Sequence, residues 1–560
     1  ADYGRYKGTF DGQGHTISGL YFNDSSAECI GIVGDLGRGG VIQNVGLENS
    51  YFHVYQYTAG ICGYNSGTIR NCYNAGTVIG EFIIIGGIVG AFEVGTVSNC
   101  YNTGNITGKS DVGGVCGNNM MRSNTIENCY NTGNITGDMD LGGICGENTA
   151  NAIIKNCYNI GNVTGTDKRI GGIIGRNASK FVENCYNTGT VTSTGENTDT
   201  VGGVCGLNSS NYLTNCYYLA DSETDKLDGT TFKTADQFAS GEVCYLLNGD
   251  QSAIAFYQDL STEKYPTLNA DSEQVCRLEM TYDESFGEDA ATVTTYHNTG
   301  AKITLEKSPD NAYTYHYYVG ETEITESPYT LTADTEIIVK KVPVEIQLSE
   351  GIGDTIELTY HKKMDALDLN DFVTNLDVLE SVDFQVDAAS ALPEGLTLTA
   401  AGVLSGTPEK AADEVKTTLI LTAKNGASKK AELTFHIAKA DPTVEVTVDG
   451  DKHTEGDPVD ELGLILSDNS TKGTVKIVGE IKRLAAGKNT LTWEFTPADS
   501  DNYNVVTGTV IVNAQATTTT TVTTTKATTV ITSGTTSTTK ASTATSGTTS
   551  ATKASTATSG

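Results

Sequence analysis

Basic residues are scarce in this sequence: 36 Lys and Arg stand against 69 Asp and Glu, a formal charge of −33. A sequence-independent grip on phosphate backbones needs clustered Lys and Arg, so nucleic acid is excluded as a partner. Proline (9) and tryptophan (Trp493 alone) are rare beside 62 glycines and 27 tyrosines. That balance disfavours long helices and suits many short strands joined by tight turns. No run nears the roughly 18–20 apolar residues of a membrane-spanning helix. The most apolar stretch, Phe82 to Phe92, is broken by Gly86, Gly87 and Gly90 and reads as strand, turn, strand. Cys-x-x-Cys and His-Glu-x-x-His are also missing, and the seven histidines (His15, His53, His297, His316, His361, His436, His453) are scattered, which argues against zinc. The sequence opens inside a repeat with no signal-like segment before it, so the true N-terminus is expected to lie upstream.

What is abundant is self-similarity. Asn-Cys-Tyr recurs from Asn71, Asn99, Asn128, Asn156, Asn184 and Asn215, at steps of 28, 29, 28, 28 and 31 residues. Between these lies a second motif, Gly86-Gly87-Ile88-Val89-Gly90 and its equivalents from Gly113, Gly142, Gly171 and Gly202, with looser forms at Ile30 to Gly34 and Ala59 to Gly63. Seven units are visible, each made of short strand runs broken by glycine and asparagine, which tolerate left-handed backbone angles. Just before the recurring Asn stand Arg70, Ser98, Glu127, Lys155, Glu183 and Thr214, a solvent-facing pattern; the aliphatic residue before each points inward. One such unit cannot bury its apolar face alone, whereas units stacked one strand spacing apart build a continuous core. The expectation is a right-handed parallel β-solenoid, since crossover connections between parallel strands are right-handed.

The glycine motif with its downstream Asn-Cys-Tyr-Asn-x-Gly-x-Val-Thr-Gly resembles the GLUG repeat of bacterial surface proteins. Tyr6-Lys7-Gly8-Thr9-Phe10-Asp11-Gly12-Gln13-Gly14-His15-Thr16-Ile17 resembles the rung that often opens such arrays. The resemblance covers residues 1–219. It implies an extracellular β-helix of adhesin-like proteins, found also beside the catalytic domain of IgA-specific metallopeptidases, with no catalytic residues in the repeat itself.

Residues 220–278 lose the repeat, and Thr234-Ala235-Asp236-Gln237 predicts a capping box opening a short amphipathic helix through Leu247, a C-terminal cap over the last rung. Alternation in Tyr313 to Tyr318 and Thr335 to Val339 predicts a small antiparallel β-domain over 279–343. Across 344–439, Leu392-Pro393-Glu394-Gly395-Leu396 with Gly402-Val403-Leu404-Ser405-Gly406-Thr407-Pro408 resembles the Ig-like domain of bacterial surface proteins, and 440–514 resembles a second Ig-like spacer. Residues 515–560 are Thr, Ser, Ala, Gly and Lys with little to bury, a disordered stalk. No Leu-Pro-x-Thr-Gly anchor follows; a dockerin beyond this sequence is an analogy only.

Ten of the 13 cysteines fall in the two motifs, and Val89 and Ile174 occupy the slot of Cys116, so the cysteines read as free core thiols rather than a disulfide framework. Asp111, Asp138, Asp140 and Asp167 fall in loops before the Gly-Gly motif, near Lys168 and Arg169, and are the candidates for Ca²⁺ through carboxylate oxygens. Aspartate also suits turns and solubility, and no catalytic residue or cofactor site is nominated. The favoured reading is a monomeric, adhesin-like or scaffold protein of the cell surface or wall that binds a host or cell-surface glycan or protein. The alternatives are the accessory modules of a larger secreted enzyme, or a β-helix polysaccharide lyase.

Overall fold

Each repeat forms one turn of a parallel β-solenoid, roughly seven turns in all, in the computed structural model of the chain. It describes residues 4–121, 123–149, 151–195, 200–210, 212–220, 230–450, 452–467 and 470–518. The residues assigned to the stalk therefore lie, from 519 onward, outside the described residues.

The turns stack into four parallel sheets. A tyrosine sheet of twelve strands carries the Asn-Cys-Tyr motif; a second, of seven strands, includes Thr77–Gly80 and Ile135–Gly137. A third, of six, includes Ser110–Gly113 and Met139–Gly142, and a fourth, of seven, includes Cys116–Asn119 and Cys145–Asn148. Register places like on like: Val97 opposite Ile126, Tyr101 opposite Tyr130, Cys157 opposite Cys185. In one column of the fourth sheet Val89, Cys116, Cys145, Ile174 and Cys205 succeed one another. The inward aliphatics Ile69, Val97, Ile126, Ile154 and Val182 are fully buried, as are Ile106, Ile135, Leu141 and Ile144. Each contributes on the order of 1.5–3 kcal/mol by leaving water. None of the thirteen cysteines is joined in a disulfide, and all but the half-buried Cys29 are buried.

Two columns of buried asparagines hold the turns together from within. Asn74, Asn102, Asn131 and Asn159 each donate from Nδ2 to the Oδ1 of the next asparagine, at 2.7–2.8 Å, ending at Asn187. Each spends its other N–H on a glycine carbonyl two residues on, as Asn131 does at Gly133 O (2.7 Å). Asn119, Asn148, Asn177 and Asn208 form a similar column in the fourth sheet, at 3.0–3.1 Å. Buried amides are tolerated because nearly every donor has a partner.

Past the last turn, Thr231–Lys233 adds a parallel strand to the tyrosine sheet. The capping box at Thr234 and Gln237 is present, but the helix is split into Ala235–Ala239 and Glu242–Asn248 by Gly241 at φ 89°. Phe238, Val243, Cys244, Leu247 and Phe256 pack with Tyr158 and Tyr186 into one apolar cluster. A five-stranded sheet follows, mostly antiparallel; its strands Val275–Tyr282 and Thr335–Pro343 pair in parallel. All of this belongs to one unit, which runs from the solenoid to Leu348.

A second unit holds most of the remainder. In it Thr355–Thr359 pairs in parallel with residues 434–438, and Leu367–Asp368, Val403–Gly406 and Leu396–Leu398 form a three-stranded sheet. Further on, His453–Thr454, Val506–Gln515, Gly487–Pro497 and Gly473–Val478 form a four-stranded sheet around Trp493, Phe495 and Val510.

Candidate functional site

The recurring asparagine turns a corner at each rung. Asn71, Asn99, Asn128, Asn156 and Asn184 all sit in the left-handed region at φ 52–55°, a conformation that asparagine adopts more readily than other residues bearing a side chain. The corner turns the residue before it outward and stacks the tyrosine after it. The rings of Tyr73, Tyr101, Tyr130, Tyr158 and Tyr186 lie face to face, with centroids 4.8–5.1 Å apart and planes within 8°. Gly46 occupies the same column one turn earlier, where a Cβ would lie 2.2 Å from the Tyr73 ring. At the far end Phe238 and Phe256 cover Tyr186, which is fully buried.

Beside this stack runs a groove of about 1090 Å³, with the outer asparagines and the edges of Tyr101 and Tyr130 on one wall and residues 251–255, Tyr257 and 267–270 on the other. Asn71 and Asn99 are exposed at one end, whereas Asn156 and Asn184 are buried at the other, so the groove deepens toward the helices. Glu127, Lys155 and Glu183 stand on consecutive rungs of the same wall, with Lys155 Nζ 2.9 Å from Glu127 Oε2.

Within the stack, the Tyr73 hydroxyl donates to Glu48 at 2.6 Å, Tyr158 bonds Thr267, and Tyr186 donates to Pro266 O. The two tyrosines of the stack that line the groove, Tyr101 and Tyr130, have no hydroxyl partner among the described residues. Burial, and then the neighbouring Tyr101, push the Tyr130 hydroxyl up to about 12, so it remains a neutral donor and acceptor. The outer asparagines bond in sequence, Asn71 to Asn44, Asn99 to Asn71, Asn156 to Asn128, Asn184 to Asn156 and Asn215 to Asn184, at 2.9–3.3 Å. The run breaks between Asn99 and Asn128, which share no hydrogen bond among the described residues, and both line the groove.

The four aspartates singled out from sequence lie elsewhere, Asp111 and Asp140 in strands of the third sheet and Asp138 and Asp167 in the bends before it, in two columns. Asp140 stacks between Asp111 and Arg169, while Asp138 stacks between Lys109 and Asp167. Asp140 pairs with Arg169 at 2.6 Å, and Asp138 accepts from Thr166 Oγ1 at 2.6 Å. Burial, then Glu147 and Asp140, raise Asp111 to about 7; burial raises Asp140 to about 6 against the pull of Arg169. Glu147 pairs with Arg176 at 2.7 Å and accepts from Asn118 Nδ2 at 2.8 Å. Among the described residues no three or more His, Cys, Asp or Glu side chains converge as a metal ion would require. Among the described residues no helix is long and apolar enough to cross a membrane. The groove residues escaped the sequence reading although their signal was there, a tyrosine kept beside the same asparagine at every turn.

Residues 137–164 match the family described as "The GLUG motif", and residues 369–438 match "Putative Ig domain". Halomucin of Haloquadratum walsbyi is 37% identical over 89 residues, which is 16% of this chain and 1% of halomucin. Among solved structures, the Protocadherin GammaB4 extracellular domain aligns with 40% of this chain and 45% of its own at 10% identity, with a TM-score of 0.17. Sidekick-1 immunoglobulin domains 1–4 align with 44% and 76% at 11% identity and a TM-score of 0.15. Neither likeness is close enough to bear on the fold. The matched GLUG motif thus sits on the in-register rungs of a parallel β-solenoid, and one of the β-domains that follow matches an Ig-like family.

Proposed function

We propose that this is an adhesin-like display protein of the cell surface, in which the solenoid binds a glycan or protein ligand and the β-domains after it act as spacers. The observation that carries the reading is the groove, where Tyr101, Tyr130, Asn99 and Asn128 present polar groups with no partner among the described residues. Such sites, concave and with a few convergent polar groups, are where ligands are held. The match to halomucin and the Ig-like domain support an extracellular setting. In this reading the helices 235–248 close the solenoid against edge-to-edge association. A Ca²⁺ role for Asp111, Asp138, Asp140 or Asp167 stays a separate proposal, read by calcium titration of the whole chain.

One arrangement favours a second reading. Glu127 and Glu183 lie two rungs apart, about 10 Å by strand spacing, with Lys155 between them, a set of the kind polysaccharide-cleaving enzymes use. A glycan and mucin-glycoprotein array with the whole chain, followed by product analysis of each hit, separates the two. Binding without turnover is expected; released oligosaccharide would replace the binding reading with the enzymatic one.

A further inference from the structure

The groove wall is a sheet face, and its main-chain groups are already spent on the neighbouring rungs, as where Tyr130 N donates to Cys100 O at 3.1 Å. A peptide strand therefore has no free edge to join. Its own amides repeat about every 6.8 Å on one side, two residues of strand, whereas the groove repeats about every 4.8 Å. What the wall offers at its centre is a donor that cannot accept (Asn128 Nδ2), an acceptor that cannot donate (Asn99 Oδ1), and two hydroxyls that do both (Tyr101, Tyr130). Hydroxyl groups on a ligand satisfy all four, since each both donates and accepts.

Charge narrows the class further. Lys155 is neutralised by Glu127 at 2.9 Å, so Glu183 leaves this wall slightly acidic. An anionic polymer would meet repulsion there, with no unpaired cation among the residues that line the groove to offset it. The tyrosine faces cover one another, so only ring edges and hydroxyls reach the groove.

Resting on the binding reading above, we infer that the groove takes a neutral, linear polysaccharide lying along the solenoid axis, its hydroxyls bridging Asn99, Asn128, Tyr101 and Tyr130. From Asn71 to Asn184 there are four rung steps, about 19 Å, room for several sugar rings in a row.

The test is calorimetric titration of the whole chain with neutral linear oligosaccharides (cello-, xylo- and manno-series), with oligogalacturonate, and with neutral extended peptides. Variants are Asn128→Gly, which keeps the left-handed corner, and Tyr130→Phe, which keeps the stack; circular dichroism checks that each is folded. Binding of a neutral oligosaccharide, insensitive to salt and weakened about three- to tenfold by each variant, the loss of one neutral hydrogen bond, is the expected result. Preference for oligogalacturonate, or for a peptide with the same sensitivity to the variants, would overturn the ligand class and leave the groove as a binding site. A neutral oligosaccharide that binds equally to both variants would overturn its placement here. If none of the three binds, both this inference and the binding reading fall.

Discussion

Replacing Asn131 with alanine tests whether the inner amide column holds the solenoid together. The Asn131 side chain makes three hydrogen bonds. It donates to Gly133 O and Asn159 Oδ1 and accepts from Asn102 Nδ2, each at 2.7 Å. Asn102 and Asn159 are themselves fully buried, so no water replaces what is lost. Three buried groups left wanting at about 1–3 kcal/mol each predict a loss of about 3–9 kcal/mol, a large part of the roughly 5–15 kcal/mol that stabilises a typical domain. Thr132→Ala, next door and exposed, should cost no more than about 0.5 kcal/mol. Because Asn102 and Asn131 share a bond, the double alanine variant should cost less than the two single losses together. Near-ultraviolet circular dichroism of the tyrosine stack, followed through urea, reports the solenoid; fluorescence of Trp493 reports the second unit independently. A loss below about 1 kcal/mol in the tyrosine transition, or an equal shift in the Trp493 transition, would refute the reasoning.

Three further outcomes follow from the same geometry. Asp111 and Asp140 titrate near 7 and 6 when folded, above the ordinary carboxyl value of about 4. The folded chain therefore binds more protons than the unfolded one between about pH 4 and 7, and their contribution to stability falls as pH rises through that window. Asp111→Asn should raise stability at pH 8 and leave it unchanged at pH 4, measured by thermal unfolding; a gain confined to pH 4 would contradict this sign. In the native chain a thiol reagent should modify Cys29 alone, and all thirteen cysteines in denaturant; a shortfall in denaturant, made good by reductant, would reveal disulfides. Gly114→Ala should unfold the middle rungs, because its Cβ would lie 2.2 Å from Gly143 O and 2.4 Å from Asn131 Cγ. Hydrogen exchange that leaves the amides of residues 113–117 protected in this variant would show that the neighbours can give way.

Much of the solenoid was legible because its periodicity is covalent. Ile126 before Glu127, and Val89, Cys116 and Ile174 in one slot, already separate inside from outside, and the stacked register follows from them. The capping box at Thr234 was legible for a similar reason, being local. The groove was not, since its second wall, 251–255 and Tyr257 with 267–270, carries no repeat and reaches the asparagines only through the tertiary packing of Phe238 and Phe256 on Tyr186. The aspartates divide between two columns because a loop position and a strand position lie two residues apart. Asp138 and Asp140 read as one cluster in sequence, yet they enter different columns, and Arg169, not another acid, follows Asp140.

The asparagine columns also have a sense of direction. Inside, Asn74, Asn102, Asn131 and Asn159 hand each hydrogen bond toward the C-terminal end, and so do Asn119, Asn148 and Asn177. Outside, Asn71, Asn99, Asn156, Asn184 and Asn215 hand theirs back toward the N-terminal end. Aligned amide dipoles reinforce one another along a chain, so a solenoid with columns of a single sense would grow more polar with every added turn. Here the outer column opposes the inner ones, and repeats can be added with a smaller axial field than the inner columns alone would build.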